Sequence, residues 1–244
     1  MTDAAKLNSR KLLTTMHYQA SMMGMYYILI PAVLLFNFAI AMATRSDIPA
    51  GSVDSPALVF SLIIGIQLQG IIFKHCIYSG VSRRTFFAAA LVNIFVFAAV
   101  LSLFTCVLLQ IIAESGQVSS SLFTLLYIMA GDSTDARTFG VGTWLLWAFT
   151  FNLAMAVLGW FCKVVYMALS KTGRRLAFAG LVVLSSVFTL INTFVQSGFA
   201  YGWILFVLGL NGIPDPYLAC LHFGLSAVVF GTGTYLILRR VQIQ

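Results

Sequence analysis

The sequence predicts an all-α integral membrane protein with six transmembrane helices, and three observations lead there. Hydrophobic residues make up 60% of the chain and charged residues 9%, with a mean hydropathy of +0.96; a soluble fold of 244 residues has no core large enough to bury that much apolar surface. The apolar residues gather into runs that reach or approach the roughly 17 to 25 helical residues needed to cross a bilayer. Between the runs, charge alternates by sign. Basic clusters stand at Lys6, Arg10 and Lys11, at Lys74, Arg83 and Arg84, at Lys163, Lys171, Arg174 and Arg175, and at Arg239 and Arg240, joined only by Asp3. Asp47, Asp54, Glu114, Asp132, Asp135 and Asp215 fall in the alternate gaps with Arg45 and Arg137. Short cytoplasmic segments collect Lys and Arg, so both termini are expected in the cytoplasm.

The residues before the first run, 1–21, carry the pattern of a cytoplasmic interfacial helix. Asp3 is a candidate cap, and Ala5, Leu12, Leu13, Met16 and Ala20 recur at approximately helical spacing with Lys6, Arg10 and Lys11 opposite. Such a helix would lie along the membrane surface; a basic tail without helix is the alternative. The expected spans are about 22–43, 57–78, 87–112, 141–167, 176–196 and 217–238. The first contains Pro31, which removes a backbone hydrogen bond. Ala41-Met42-Ala43 resembles a signal cleavage site, but the apolar stretch before it is longer than a signal peptide's roughly 7 to 15 residues, so a retained helix is expected.

Two further apolar stretches are too short or wrongly flanked to count as crossings. Residues 121–130 lie between Glu114 and Asp132 and are expected at the outer interface. Residues 198–210 would, as a crossing, send Arg239 and Arg240 outside. They read instead as an outer re-entrant hairpin before the last helix, with breaks at Ser197-Gly198 and Asn211-Gly212-Ile213-Pro214.

Several chemistries are disfavoured. None of the six runs contains Asp or Glu, which argues against a proton-coupled pump or antiporter. There is no HExxH, no GxSxG and no GxxxxGK[ST] loop, so metalloprotease, serine hydrolase and P-loop ATPase readings lack their motifs. Cys76, Cys106, Cys162 and Cys220 stand in different runs without disulfide-framework or zinc spacing. The net charge of +7 flanks the spans and forms no continuous stripe, so no nucleic-acid partner is implied, and lipid headgroups account for most of it. His222 lies near the outer end of the last run, where a packing role is the simpler reading.

Polar residues inside the runs fall largely on two helices. Ser61, Gly65 and Gln69 are spaced by four in the second, with Gln67 beside them; Ser185, Thr189, Asn192 and Gln196 are spaced by four, three and four in the fifth. Each stripe occupies one helix face and should meet other helices or a water-filled path. Small residues Gly224, Ala227 and Gly231 suggest close packing of the last helix, and Asn152, Gly159 and Lys163 share roughly one face of the fourth. The loop from Ser79 to Phe87 reads SGVSRRTFF. Ser82 is a plausible cap for the third helix, which leaves Arg83 and Arg84 in a first turn whose dipole disfavours cations. Something outside that helix should compensate them, either anionic lipid or an acidic protein surface.

With this loop, six spans, an N-terminal surface helix and an outer apolar hairpin, the chain resembles the permease subunits of type-2 ATP-binding-cassette exporters. The resemblance covers the whole length in architecture and only Gly80 to Phe87 in local sequence. It implies one transmembrane permease domain over 1–244, multi-pass in a cell membrane, with a bacterial plasma membrane the expected setting. It implies that Gly80, Val81, Ser82, Arg83, Arg84 and Thr85 form a coupling helix docking on separate ATPase subunits, which would carry the ATP and magnesium, this chain itself holding no cofactor or metal. It implies a second permease, identical or homologous, and a translocation path along the two polar stripes for a peptide, lipid or drug-like substrate. The chain would then not itself be an enzyme. The competing readings are a non-transport scaffold or regulatory subunit and, more remotely, an intramembrane enzyme using His222.

Overall fold

The computed structural model describes residues 3–44, 55–69, 71–114, 123, 140–176 and 215–240. Among them all regular structure is helical. In chain order the elements are α1 (Asp3–Met22), α2 (Gly24–Thr44), α3 (Ser55–Leu68), α4 (Ile71–Tyr78), α5 (Arg83–Glu114), α6 (Val141–Ala168) and α7 (Pro216–Arg240). Helical geometry resumes over 171–176.

Four candidate membrane spans satisfy both length and apolarity among the described residues: Pro56–Tyr78, combining α3 and α4, then Arg83–Ile111, Val141–Ala168 and Pro216–Arg240. The helix α2, with Pro31 inside it, carries the first apolar run without a charged residue. The fifth expected span beyond Leu176 and the stretch 198–210, expected as a re-entrant hairpin, lie outside the described residues, as do Ser185, Thr189, Asn192 and Gln196. Of 121–130, Phe123 is described; it is buried against Trp144 and Trp147 at the start of α6.

The outward surface requires an apolar solvent. On α5, Val92, Val96, Val100, Leu103, Val107 and Ile111 are all exposed and recur every three or four residues, one continuous helical stripe. Leu221, Leu225 and Val228 do the same on α7, with Leu236 exposed about two turns further on. In water such stripes would form patches far beyond those soluble monomers tolerate, whereas in lipid they are the required surface.

Inside, α6 is the central helix, packed against α3, α5 and α7. Residue pairings fix the directions. Ser61 meets Asn152 and Gln69 meets Trp160, so α3 and α6 run parallel. Phe151 stacks on Phe223 and Phe161 meets Phe230, so α7 also runs parallel to α6. Phe87 meets Trp160 while Phe95 meets Phe149, so α5 runs antiparallel to all three. Lys74, Arg83, Arg84, Lys163, Arg239 and Arg240 therefore gather at one end of the bundle, and Asp215 lies at the other.

The helix α1, expected to lie along the membrane surface, packs on the bundle through a polar face: Leu13 of its apolar stripe is 71% exposed while Thr15 and Gln19 are buried. The reason is a polar match with α5. Asn93 donates from Nδ2 to the Gln19 Oε1 at 2.8 Å and to the Met16 carbonyl at 3.3 Å. Gln19 Nε2 in turn reaches the Phe86 carbonyl at 3.5 Å. An amide inside an apolar helix needs a partner, and that need turns the Thr15 and Gln19 face of α1 inward.

Candidate functional site

The second-span stripe is the first candidate. Ser61, Gly65 and Gln69 are all buried, and each faces α6. Ser61 Oγ donates to Asn152 Oδ1 at 2.8 Å, and Asn152 Nδ2 donates to Ser102 Oγ at 3.0 Å, so one amide ties together α3, α6 and α5. Further along, Trp160 Nε1 donates to Gln69 Oε1 at 2.8 Å. Between these two knots the helices touch through glycine. A Cβ on Gly65 would overlap the Ala156 carbonyl oxygen and lie 2.8 Å from the Trp160 nitrogen; one on Gly159 would overlap the Leu62 carbonyl oxygen. Only hydrogen on both glycines allows this backbone approach.

In this chain Ser61, Gly65 and Gln69, the residues expected along a translocation path, are buried and serve as the adhesive of the α3/α6 contact. The cavity beside Asn152 is about 10 Å³, room for a water molecule at most. The physical reason is that a buried amide or hydroxyl in an apolar medium seeks a partner at once, and α6 supplies Asn152 and Trp160 in register. Asn93, Ser102 and Trp160 were not singled out by the sequence reading. The signal that could have found the first two is an isolated amide or hydroxyl inside an apolar run.

The loop between α4 and α5 is the second candidate. It is a four-residue turn rather than a separate coupling helix. Gly80 has φ +79°, and the Gly80 and Val81 amides donate to the Ile77 and Cys76 carbonyls, both at 3.0 Å; this is the paired closure of a helix end by a left-handed glycine. Two residues later Ser82 caps α5. Its Oγ accepts the Thr85 amide at 3.1 Å and lies 2.8 Å from the Thr85 hydroxyl. Both helix ends are satisfied within the turn, so no residues remain to form an intervening helix.

The two arginines then separate. Arg83 Nη1 donates to the main-chain carbonyls of Leu238 at 3.0 Å and Arg239 at 2.8 Å. The cation that the start of α5 disfavours is thus held by the negative end of α7. The expected compensation for Arg83 comes from within the chain. Arg84 is exposed, together with Ser82 and Gly80. Val81 and Thr85 are half-buried. The next turn on the same end repeats the device: Arg174 Nε donates to the Tyr166 and Leu169 carbonyls at 2.9 and 3.1 Å, closing the end of α6.

No protein-family model matches this chain, and neither a curated protein nor a solved structure does. The geometry above stands by itself.

Other candidates are quickly placed. His222 is half-buried on α7, its main-chain oxygen accepting the Ser226 hydroxyl at 2.8 Å. Among the described residues no group of His, Cys, Asp or Glu is arranged to hold a metal ion. Gly224 meets nothing within 4 Å, so the small-residue series of α7 packs on α6 only in its second half, where Gly231 and Gly233 approach Val157 and Phe161.

Proposed function

We propose that this chain is the membrane permease subunit of a type-2 ATP-binding-cassette exporter, working with a second permease and with separate ATPase subunits that bind ATP and magnesium. The observation that carries the reading is the α4/α5 turn. It is closed at both ends, presents Ser82 and Arg84 outward, and is tied through Arg83 to the end of α7. A load applied to such a turn reaches two membrane-length helices, which is what coupling an external motor to a bundle requires.

Connectivity supports the six-span part of the proposal. Because α6 and α7 run parallel, the chain between them has to return to the opposite end, and the apolar run 176–196 has the length to do so. With α5 antiparallel to α6, the chain between Glu114 and Val141 begins and ends on one side and needs no crossing. An exported peptide, lipid or drug-like cargo would suit a chain whose apolar runs hold no carboxylate.

The test is purification from native membranes. Arg84→Glu is expected to lose a co-purifying nucleotide-binding ATPase while inserting normally. Retention of that ATPase at wild-type level would remove the docking role. A second reading, a non-transport scaffold subunit, is favoured by the use of Ser61, Gly65 and Gln69 in packing; under it, no ATPase accompanies the wild-type protein.

A further inference from the structure

Between α5, α6 and α7 lies an apolar groove of about 570 Å³. Its walls follow helical register. On α5 they are Phe87, Leu91 and Phe95; on α7 they are Gly224, Val228 and Tyr235. Continuing each series by one turn toward the basic end reaches Arg83 on α5, four residues before Phe87, and Arg239 on α7, four residues after Tyr235. The two walls converge there. The rings of Phe87 and Tyr235 are 5.0 Å apart, the Arg239 guanidinium sits 5.9 Å over the Tyr235 ring, and Arg83 is bonded to the Arg239 carbonyl. Arg239 is exposed, as are Arg240, next to it in sequence, and Arg84, next to Arg83. The described acid of α7's own end, Asp215, is at the opposite pole of the helix.

An open apolar groove at membrane depth, ending in guanidinium groups at the level of the headgroups, has the polarity of one kind of molecule. We propose that it is a binding site for an anionic phospholipid, with an acyl chain lying between α5 and α7 and the phosphate held by Arg239. Arg83 adds field from a fixed position, since its Nη1 donates to the Leu238 and Arg239 carbonyls. Guanidinium pairs with phosphate more strongly than with a zwitterionic headgroup whose charge is already balanced, and this difference gives the site its selectivity. The absence of a Cβ at Gly224, with nothing within 4 Å among the described residues, leaves the outer half of the groove wide enough for chain packing. The inference needs only a membrane around the bundle and is independent of the exporter reading.

The experiment uses the full-length protein in mild detergent, with phosphatidylglycerol and phosphatidylcholine of identical chains and with glycerol 3-phosphate as the free headgroup anion. Binding is read by native mass spectrometry and by the shift of the thermal transition. Wild type is expected to prefer phosphatidylglycerol by about tenfold, the size of one charge-assisted contact. Arg239→Gln should bring phosphatidylglycerol down to the phosphatidylcholine level, Arg239→Lys should keep part of the preference, and Gly224→Leu, which fills the groove, should weaken both lipids. Equal binding of the two lipids by wild type, or an unchanged preference in Arg239→Gln, overturns the proposal. Glycerol 3-phosphate acting as well as the lipid would assign the arginines to a free anion and also overturn it. So would a Gly224→Leu protein that dissociates from dimer to monomer with lipid retention intact, because the groove would then belong to a second copy.

Discussion

Arg83 and Arg239 meet at 2.8 Å, the guanidinium of the first donating to the main-chain oxygen of the second. Two like charges are brought together because the contact is not between their charges. The last described turn of α7 presents carbonyls that accept, and the start of α5 presents a cation it repels; each is the other's remedy. The contact makes the basic end of the bundle a built structure rather than a loose fringe.

Removing the Arg83 guanidinium should therefore lower stability. Arg83→Gln is expected to cost about 1 kcal/mol, below the usual range for hydrogen bonds to charged groups because the site is partly exposed. Arg84→Gln, with its exposed side chain, should change stability by less than about 0.5 kcal/mol. Denaturant or thermal unfolding in detergent compares the two, and equal effects would contradict the assignment of Arg83 as the helix clamp.

At the α3/α6 crossing, Gly65→Ala and Gly159→Ala place a methyl group into backbone carbonyl oxygens rather than flexible side chains. Neither helix can yield by changing a rotamer. Each substitution is expected to destabilise by about 3 kcal/mol or more, the upper range for overpacking. Gly224→Ala, which meets open space, serves as the neutral control. The yield of monodisperse protein after solubilisation reads the difference.

Gln69 accepts a bond from Trp160, and its Nε2 is buried without a hydrogen-bond partner among the described residues. Trp160→Phe should cost about 1 to 3 kcal/mol, because it leaves the Gln69 oxygen unmet in addition to removing ring contacts. Adding Gln69→Leu should recover a large part of that loss, since both polar groups are then gone. A double-mutant cycle on unfolding free energies checks it; strictly additive losses would show that the two side chains do not interact.

The charge distribution predicts sidedness. Cysteines placed one at a time at Arg175 and Asp215, both exposed, should react with a membrane-impermeant thiol reagent from opposite faces, Arg175→Cys from the cytoplasm and Asp215→Cys from outside. Reaction of both from one face would reverse the reading of the basic clusters.

Much of the architecture was legible without coordinates. A span is declared by its own composition, because every lipid-facing position must be apolar and the length is set by the bilayer, so Phe87 to Ile112 announces a helix before any neighbour is known. The Ser82 cap and the Gly80 turn are equally local, each satisfied by residues within five positions. What lay beyond sequence was the partner of each polar group. The spacing of Ser61, Gly65 and Gln69 shows that they share a face but not what that face meets, and an interhelical bond and a wet path present the same pattern.

By itself, then, the sequence determined that this is a helical chain of membrane composition whose charges sort by gap, because solvation of single residues by lipid or water is a one-body effect. Only the tertiary structure decided that the second-span stripe is packing, that α1 turns Thr15 and Gln19 rather than Leu13 inward, and that Arg83 is held by the end of α7. Those outcomes depend on pairs such as Ser61 with Asn152 and Gln19 with Asn93, separated by 91 and 74 residues. Which of several equivalent polar groups comes within 3 Å of another is settled by how the helices cross, and no single run of residues contains that information.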